Sequence, residues 1–397
     1  IGIGFIALSL RIPPKDDMSA ETKHTGFKSG ALIVSTYLLQ GILGLLISIS
    51  LAFTVLPDLF KASGVLLPMG YGQGPGQANN IGSTYEQLGF KGGQSFGLSI
   101  SAAGFLCACI IGVIYINYLV RHKKLKRQEA QFVSGSITVG DFQDKNEIPV
   151  SESIDKLSVQ IAFVLLLYLV TYFAAFGLTM LLRAVAPGLA KNLTSIIWGF
   201  NFIIGSILAI GCRAALHGLK KVKLMTRQYQ NNYLLSRISG MAFDFMTVAG
   251  ISAIDFQELK GLWIPFILMT VLGGLVTFLY CRWMCRRIYP GYEEEGLISM
   301  FGMLTGTISS GVLLLREVDS GFRTPAANNL LTGSSFAIVL GIPMLVLIGM
   351  APESDTKLFI TLGLMLIYFV FLLFLIRKLS DHKKNKNFLE KDEELSK

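Results

Sequence analysis

Charge is scarce in this chain: 15% of its 397 residues are Asp, Glu, Lys or Arg and 52% are hydrophobic. That balance excludes an ordinary soluble domain, in which about a quarter of the residues are charged. The five cysteines, Cys107, Cys109, Cys212, Cys281 and Cys285, lie in or beside apolar runs without paired CxxC spacing. A disulfide framework and a thiolate metal site are thereby excluded, and the thiols read as small packing groups. The four histidines, His24, His122, His217 and His382, fall in polar or basic stretches and accompany no Ser/His/Asp or metal-hydrolase pattern, so the chain is not read as an enzyme and no cofactor is expected. GYGQGPG has neither a preceding strand nor a GK[ST] ending, which excludes a phosphate-binding loop. No basic stretch carries interleaved aromatics, which excludes nucleic acid as a partner.

What the chain has is long apolar runs. With about twenty residues needed to cross a bilayer, residues 31–56, 95–120, 157–182, 193–212, 238–254, 262–284, 334–350 and 358–376 read as spans. Residues 1–10 read as a span entered part-way, not as a signal peptide, since no basic region precedes them. The expected fold class is all-α, a polytopic membrane protein partnered by the lipid bilayer. The formal net charge of +9 gathers at run ends, as at Arg121, Lys123, Lys124, Arg286, Arg287, Arg377 and Lys378. The positive-inside rule then places 121–156, 213–237 (a basic surface stretch), 285–295 and the charged, irregular C-terminal tail in the cytoplasm, in a cell membrane.

Between the runs lie two stretches of equal length. GVLLPMGYGQGPGQANNIGSTYEQLGF (64–90) aligns without a gap on GLISMFGMLTGTISSGVLLLREVDSGF (296–322), sharing Gly64/Gly296, Gly70/Gly302, Gly74/Gly306, Gly89/Gly321 and Phe90/Phe322. The same offset of 232 pairs Lys28 with Lys260 and Gly41 with Gly273. Charge parity makes 64–90 leave and re-enter the external face and 296–322 the cytoplasmic face, so two inverted-topology repeats are expected, each with a glycine-rich re-entrant hairpin. The boundaries follow: 1–120 for the first repeat, 121–156 for a linker, 157–351 for the second repeat, and 352–397 for an extra helix and tail. The offset also predicts about seventy-five residues upstream of Ile1 and points to a secondary transporter with its site at the broken elements.

The hairpins carry the candidate chemistry. Gly70, Gly72, Gly74 and Gly76 remove side chains, and Pro75 frees backbone groups from helical pairing. Unwound carbonyls suit Na⁺, and amides at the start of a second arm suit a carboxylate. Tyr71, Gln73, Gln77, Asn79 and Asn80 add neutral polar groups in the first stretch; Gly302, Thr305, Gly306, Thr307, Ser309 and Ser310 do so in the second. Asp244, inside an apolar run, is a candidate for a cation or a proton, and a Na⁺ site is expected near Gln73, Thr305 and Asp244. The alternative at each hairpin is close helix packing through small residues, and at Asp244 a pair with Arg237.

These residues resemble the sodium:glutamate symporter family. MGYGQG is similar to that family's G-G-H-G-T-G-like run through Gly70, Gly72 and Gly74, with Tyr71 in place of the histidine. STYEQLGF resembles its acidic-then-Gly-Phe ending at Glu86, Gly89 and Phe90, and FIALSL and KSGALIV look like its third and fourth helices. Phe301-Gly302 matches part of its second hairpin, which here lacks the proline and most glycines, and residues 358–376 add a span. The resemblance implies Na⁺-coupled symport of glutamate or a related small anionic solute by alternating access, with a homodimer among the assemblies it admits. H⁺ coupling through Asp244, another carboxylate, a channel and a membrane scaffold are the alternatives.

Overall fold

The computed structural model describes residues 2–12, 20–122, 155–185, 201–223, 227–319 and 324–395, together with positions 194, 197, 198 and 225. Its regular elements are helices: α1 (Gly2–Leu10), α2 (Ala20–Thr54), a 3-10 turn (Lys61–Val65), α3 (Leu66–Tyr71), α4 (Pro75–Gln87), α5 (Gly93–Arg121), α6 (Lys156–Val185), α7 (Asn201–Lys221), α8 (Asn232–Ser252), α9 (Trp263–Ile288), α10 (Glu293–Thr305), α11 (Ile308–Arg316), α12 (Ala326–Leu340), α13 (Ile342–Met350) and α14 (Asp355–Leu395). Six among the described residues are long and apolar enough to cross a membrane: His24–Thr54, Gly93–Arg121, Lys156–Val185, Asn232–Ser252, Trp263–Ile288 and Asp355–Leu379. The pair α12 and α13, bent by 50° at Gly341, makes a seventh if counted as one span. Pro343 in the first turn of α13 lacks the amide that would continue α12, which accounts for the bend. The apolar outer surfaces fit a bilayer: Leu165, Leu166 and Phe173 on α6, and Val271, Leu275 and Leu279 on α9, are all exposed.

The chain divides into two compact units, each drawing on both halves of the sequence: residues 1–17 with 130–249, and 18–129 with 250–397. In the first unit, Ile6, Ala7 and Leu10 of α1 bury against Val164 and Leu167 of α6, Ala209 of α7 and Leu235 and Ile238 of α8. Asn232 ties the end of α1 to the start of α8, accepting from the Ile12 amide and donating to the Ile12 carbonyl, both at 2.7 Å. Of the expected basic surface stretch 213–237, residues 213–221 continue α7 and 232–237 begin α8. The Arg213 guanidinium donates to the Ser9 and Arg11 carbonyls at the C-terminal end of α1.

The second unit is organised on α2, which runs antiparallel to α9. Ser29 meets Tyr289, the Tyr280 hydroxyl donates to Ser35, and Gln40 donates to Thr277. α5 runs parallel to α9, with Cys107 beside Gly274 and Tyr115 against Phe278. α14 runs antiparallel to α2, Met365 lying by Gly41 and Asp355 pairing with Lys61 at 2.5 Å.

Several sequence expectations shift. Lys28 lies buried within α2, whereas Lys260 is exposed in the turn before α9, so that pair occupies different environments. The expected span 334–350 begins earlier, at Ala326, since Asn328 and Asn329 are accommodated inside the helix, where the Asn329 amide donates to the Tyr292 hydroxyl. The tail expected to be irregular continues as helix to Leu395, in keeping with its Lys- and Glu-rich composition. Residues 123–154 of the linker, Gly321, Phe322 and most of 193–200 lie outside the described residues.

Candidate functional site

α3 ends because glycine takes over. Gly72 and Gln73 both donate to the Pro68 carbonyl, at 3.0 and 3.2 Å, closing the last turn. Gly74 then adopts φ 81°, ψ −177°, a region essentially reserved for glycine. Pro75 restarts the chain as the first residue of α4, where its missing amide costs no helical bond. Gly74→Ala is expected to cost about 1–3 kcal/mol in strain alone, read as a lower thermal midpoint of the purified protein; an unchanged midpoint would show that the loop relaxes freely.

A second break follows the same plan. α10 stops at Gly306, and Thr307 caps α11, its hydroxyl facing the Ser310 amide at 3.5 Å. α10 and α11 fold back on each other through glycine: a Cβ at Gly302 would lie 2.9 Å from the Gly311 Cα, and one at Gly311 would overlap the Ser299 carbonyl oxygen.

Contacts along α5 fix how the two breaks approach. α4 is antiparallel to α5, with Gly82 at Gly93 and Ala78 at Gly97. α3 is parallel to it, with Leu66 at Gly97, Gly70 at Ser101 and Tyr71 at Gly104. The first pair therefore folds back at residues 72–74, its tip reaching Gly104 from the N-terminal side of α5. In the second pair Leu314 of α11 sits at Gly112 and the Thr305 carbonyl at Gly104, so that tip arrives from the C-terminal side. A Cβ at Gly104 would overlap the Thr305 oxygen and lie 2.9 Å from Tyr71 Cδ1. The two breaks meet at one glycine.

The chain matches no family model, no curated protein and no solved structure. The likeness to sodium:glutamate symporters rests on the residues quoted for it.

The tips are cross-braced. The Tyr71 hydroxyl donates to the Thr270 carbonyl of α9 at 2.7 Å, so this expected site residue anchors the first tip. Gln40 of α2 anchors the second: its amide nitrogen donates to the Leu304 carbonyl and to Thr277 Oγ1, each at 2.9 Å. Among the other expected residues, Asn79 accepts from the Gln94 side chain at 2.7 Å, and the Thr305 hydroxyl bonds back to the Phe301 carbonyl. Gly70, Gly76, Gly302 and Gly306 are buried at or beside the breaks, and Gln73, Thr307 and Ser309 are half-buried there. Gln77, in the first turn of α4, is 1% exposed and neither atom of its amide has a partner among the described residues. Asp244 lies on α8 in the first unit, exposed, and Arg237 faces the Tyr233 ring at 5.2 Å. The breaks belong to the second unit.

Sequence reasoning missed Gln40, Tyr37, Gly104 and Thr277. Only Gln40 carried a usable signal, as the one amide in the run TYLLQGIL, where an intramembrane polar group is a site candidate. The acidic start of α10 lies away from the tips, where Glu293, Glu294 and Glu295 complement the positive helix end. Burial, with Asp319, Glu294 and Glu293 adding to it, raises the Glu295 carboxyl above the usual range. No group of three or more His, Cys, Asp or Glu among the described residues is arranged to hold a metal ion.

Proposed function

We propose that this chain is a secondary active transporter, a divergent relative of the sodium:glutamate symporters that couples Na⁺ entry to uptake of glutamate or a related anionic solute. The observation that carries the reading is the meeting of two helix breaks at Gly104 from opposite ends of α5. Broken helices that oppose each other offer carbonyls to a cation and free amides to a carboxylate within one small volume. The offset of 232 adds support, since it sets α9 on α2 from residue 31, break on break at Gly74 and Gly306, and the bent pair α12 and α13 on α5. With α2 and α9 antiparallel, that correspondence is the one an inverted repeat requires. The basic ends of α5, α9 and α14 (Arg121; Arg286 and Arg287; Arg377 and Lys378) gather at one end of the second unit, which supports a cytoplasmic C-terminus.

The anion site is assigned to the first turn of α4. Gly76 and Gln77 have backbone amides there that the helix itself does not use, and the unpartnered Gln77 side chain adds a donor. Proteoliposomes holding the full-length protein should take up labelled glutamate or aspartate under an inward Na⁺ gradient. Uptake driven equally by K⁺, or no uptake of any carboxylate, would sink the proposal, and uptake driven only by H⁺ would replace the coupling ion. Gln77→Leu provides the residue-level test. It removes a buried amide that the protein leaves unsatisfied, worth about 1–3 kcal/mol, so the thermal midpoint should hold or rise. The KM for the anion should meanwhile rise about tenfold, the loss of one donor to a charged group. A variant with unchanged KM would take Gln77 out of the site.

A further inference from the structure

Gln40 does more than brace the second tip. Its side chain is 1% exposed, and its orientation is fixed by chemistry. The Leu304 carbonyl only accepts, so the group facing it is the amide nitrogen and the oxygen points the other way. That oxygen has no partner among the described residues. It faces Gly72, where a Cβ would lie 3.0 Å from it, and the Tyr37 ring closes the same spot. A buried acceptor left without a donor is destabilising, so an occupant that satisfies it is favoured.

The surroundings select the occupant's charge. α3 ends at Tyr71 and α10 ends at Thr305, and both ends abut Gly104, while Gln40 touches the chain at Leu304 and Gly72. The C-terminal ends of two helices, the ends at which the peptide dipoles leave partial negative charge, thus converge beside an unpartnered amide oxygen. The oxygens on offer are neutral, which suits a monovalent hard cation better than a divalent one, whose sites draw on carboxylates.

We propose that Gln40 Oε1, facing Gly72 between the two helix breaks, is a ligand for a monovalent hard cation. The ion's identity as Na⁺ rests on the transport reading above; the site itself rests on the geometry. An ordered water satisfying the oxygen is the competing occupant, and ion dependence separates the two.

The test is the thermal midpoint of the full-length protein in detergent, titrated with NaCl against choline chloride at constant ionic strength and again with KCl. The unaltered protein should be stabilised saturably by Na⁺, and Gln40→Leu should raise the half-saturating Na⁺ concentration about tenfold or more, the loss of one charge-assisted contact. Thr277→Val removes an acceptor for the same amide but keeps the oxygen, so its half-saturation should stay within about threefold of the unaltered protein, a difference of under 1 kcal/mol. Unchanged half-saturation in Gln40→Leu, or no Na⁺ response in the unaltered protein, would overturn the proposal. If Gln40→Leu fails to fold, Gln40→Glu takes its place: a carboxyl there should make Na⁺ half-saturation depend on pH, and a pH-independent, unaltered value would overturn the site. Loss of Na⁺ binding in Gln40→Leu alongside an unaltered protein that transports no carboxylate would leave the cation site standing and defeat the symport reading. Na⁺-driven uptake with an unaltered Na⁺ requirement in Gln40→Leu would do the reverse.

Discussion

Gly104→Ala should lower uptake about a hundredfold while leaving the protein in the membrane. The added methyl would overlap the Thr305 carbonyl oxygen on one side and press on the Tyr71 ring, 2.9 Å away, on the other. Neither neighbour yields easily. Thr305 O is backbone at the end of α10, whose Leu304 carbonyl is held by Gln40, and Tyr71 is held by its bond to Thr270. Overpacking of this kind costs about 1–3 kcal/mol, survivable for the fold, but relief requires the two tips to separate. A displacement of about 1 Å at a positioned site is worth about a hundredfold in rate, and that is the expected loss of uptake. Two comparisons grade the effect. At Gly112 the atoms nearest a Cβ would be those of the Leu314 side chain, at 2.7 Å, which can change rotamer, so Gly112→Ala should lose far less; at Gly363 nothing lies within 4 Å and Gly363→Ala should behave as the unaltered protein. Wild-type uptake by Gly104→Ala would remove the meeting of the tips from the mechanism.

The legible part of this architecture was the part written in periodicity and punctuation. Long apolar runs announce membrane-crossing helices because a bilayer demands about twenty such residues, and runs 95–120, 157–182 and 262–284 match helices α5, α6 and α9 to within a few residues at each end, while α2 begins eleven residues ahead of the run 31–56. Gly74 and Gly306 mark breaks because a helix interior disfavours glycine and Gly74 also needs positive φ. What stayed hidden depends on which faces touch. Nothing in the run containing Gly104 distinguishes it from Gly97 or Gly112; its role emerges only when α3 and α10 are laid on α5. Tyr71 looked like a site residue by its place in the glycine stretch, yet the side chain reaches away to α9. Asp244 is a site candidate by the cost of a carboxylate in an apolar run, and α8 leaves it exposed on the first unit. The alternating division of the chain into two units was equally out of reach, because it depends on long-range packing, whereas the order of spans suggests halves joined end to end.

The shared glycine Gly64/Gly296 shows how one conserved spacing within a chain can answer two different packing demands, and it yields the largest expected effect on stability. At Gly296 a Cβ would run into the Tyr289 ring, a side chain. At Gly64 it would run into backbone, overlapping the carbonyl group of Gly44 on α2, while a Cβ at Gly44 would overlap the Gly64 oxygen and lie 2.8 Å from its carbon. Ser48 fastens the same approach by donating to the Lys61 carbonyl at 2.6 Å. Because each glycine faces the other's main chain, neither Gly44→Ala nor Gly64→Ala has a rotamer to absorb it, and each should cost about 3 kcal/mol, the upper end for overpacking. The double variant should cost less than the two together. Once the first methyl has moved α2 off the 3-10 turn, the second enters space already opened, so the coupling should be about 1–3 kcal/mol in the favourable direction. Reversible unfolding by SDS in mixed micelles measures all four corners of that cycle. Strict additivity would mean that the two backbones are not in contact in the membrane, and the seat of the first helix break would have to be placed elsewhere on α2.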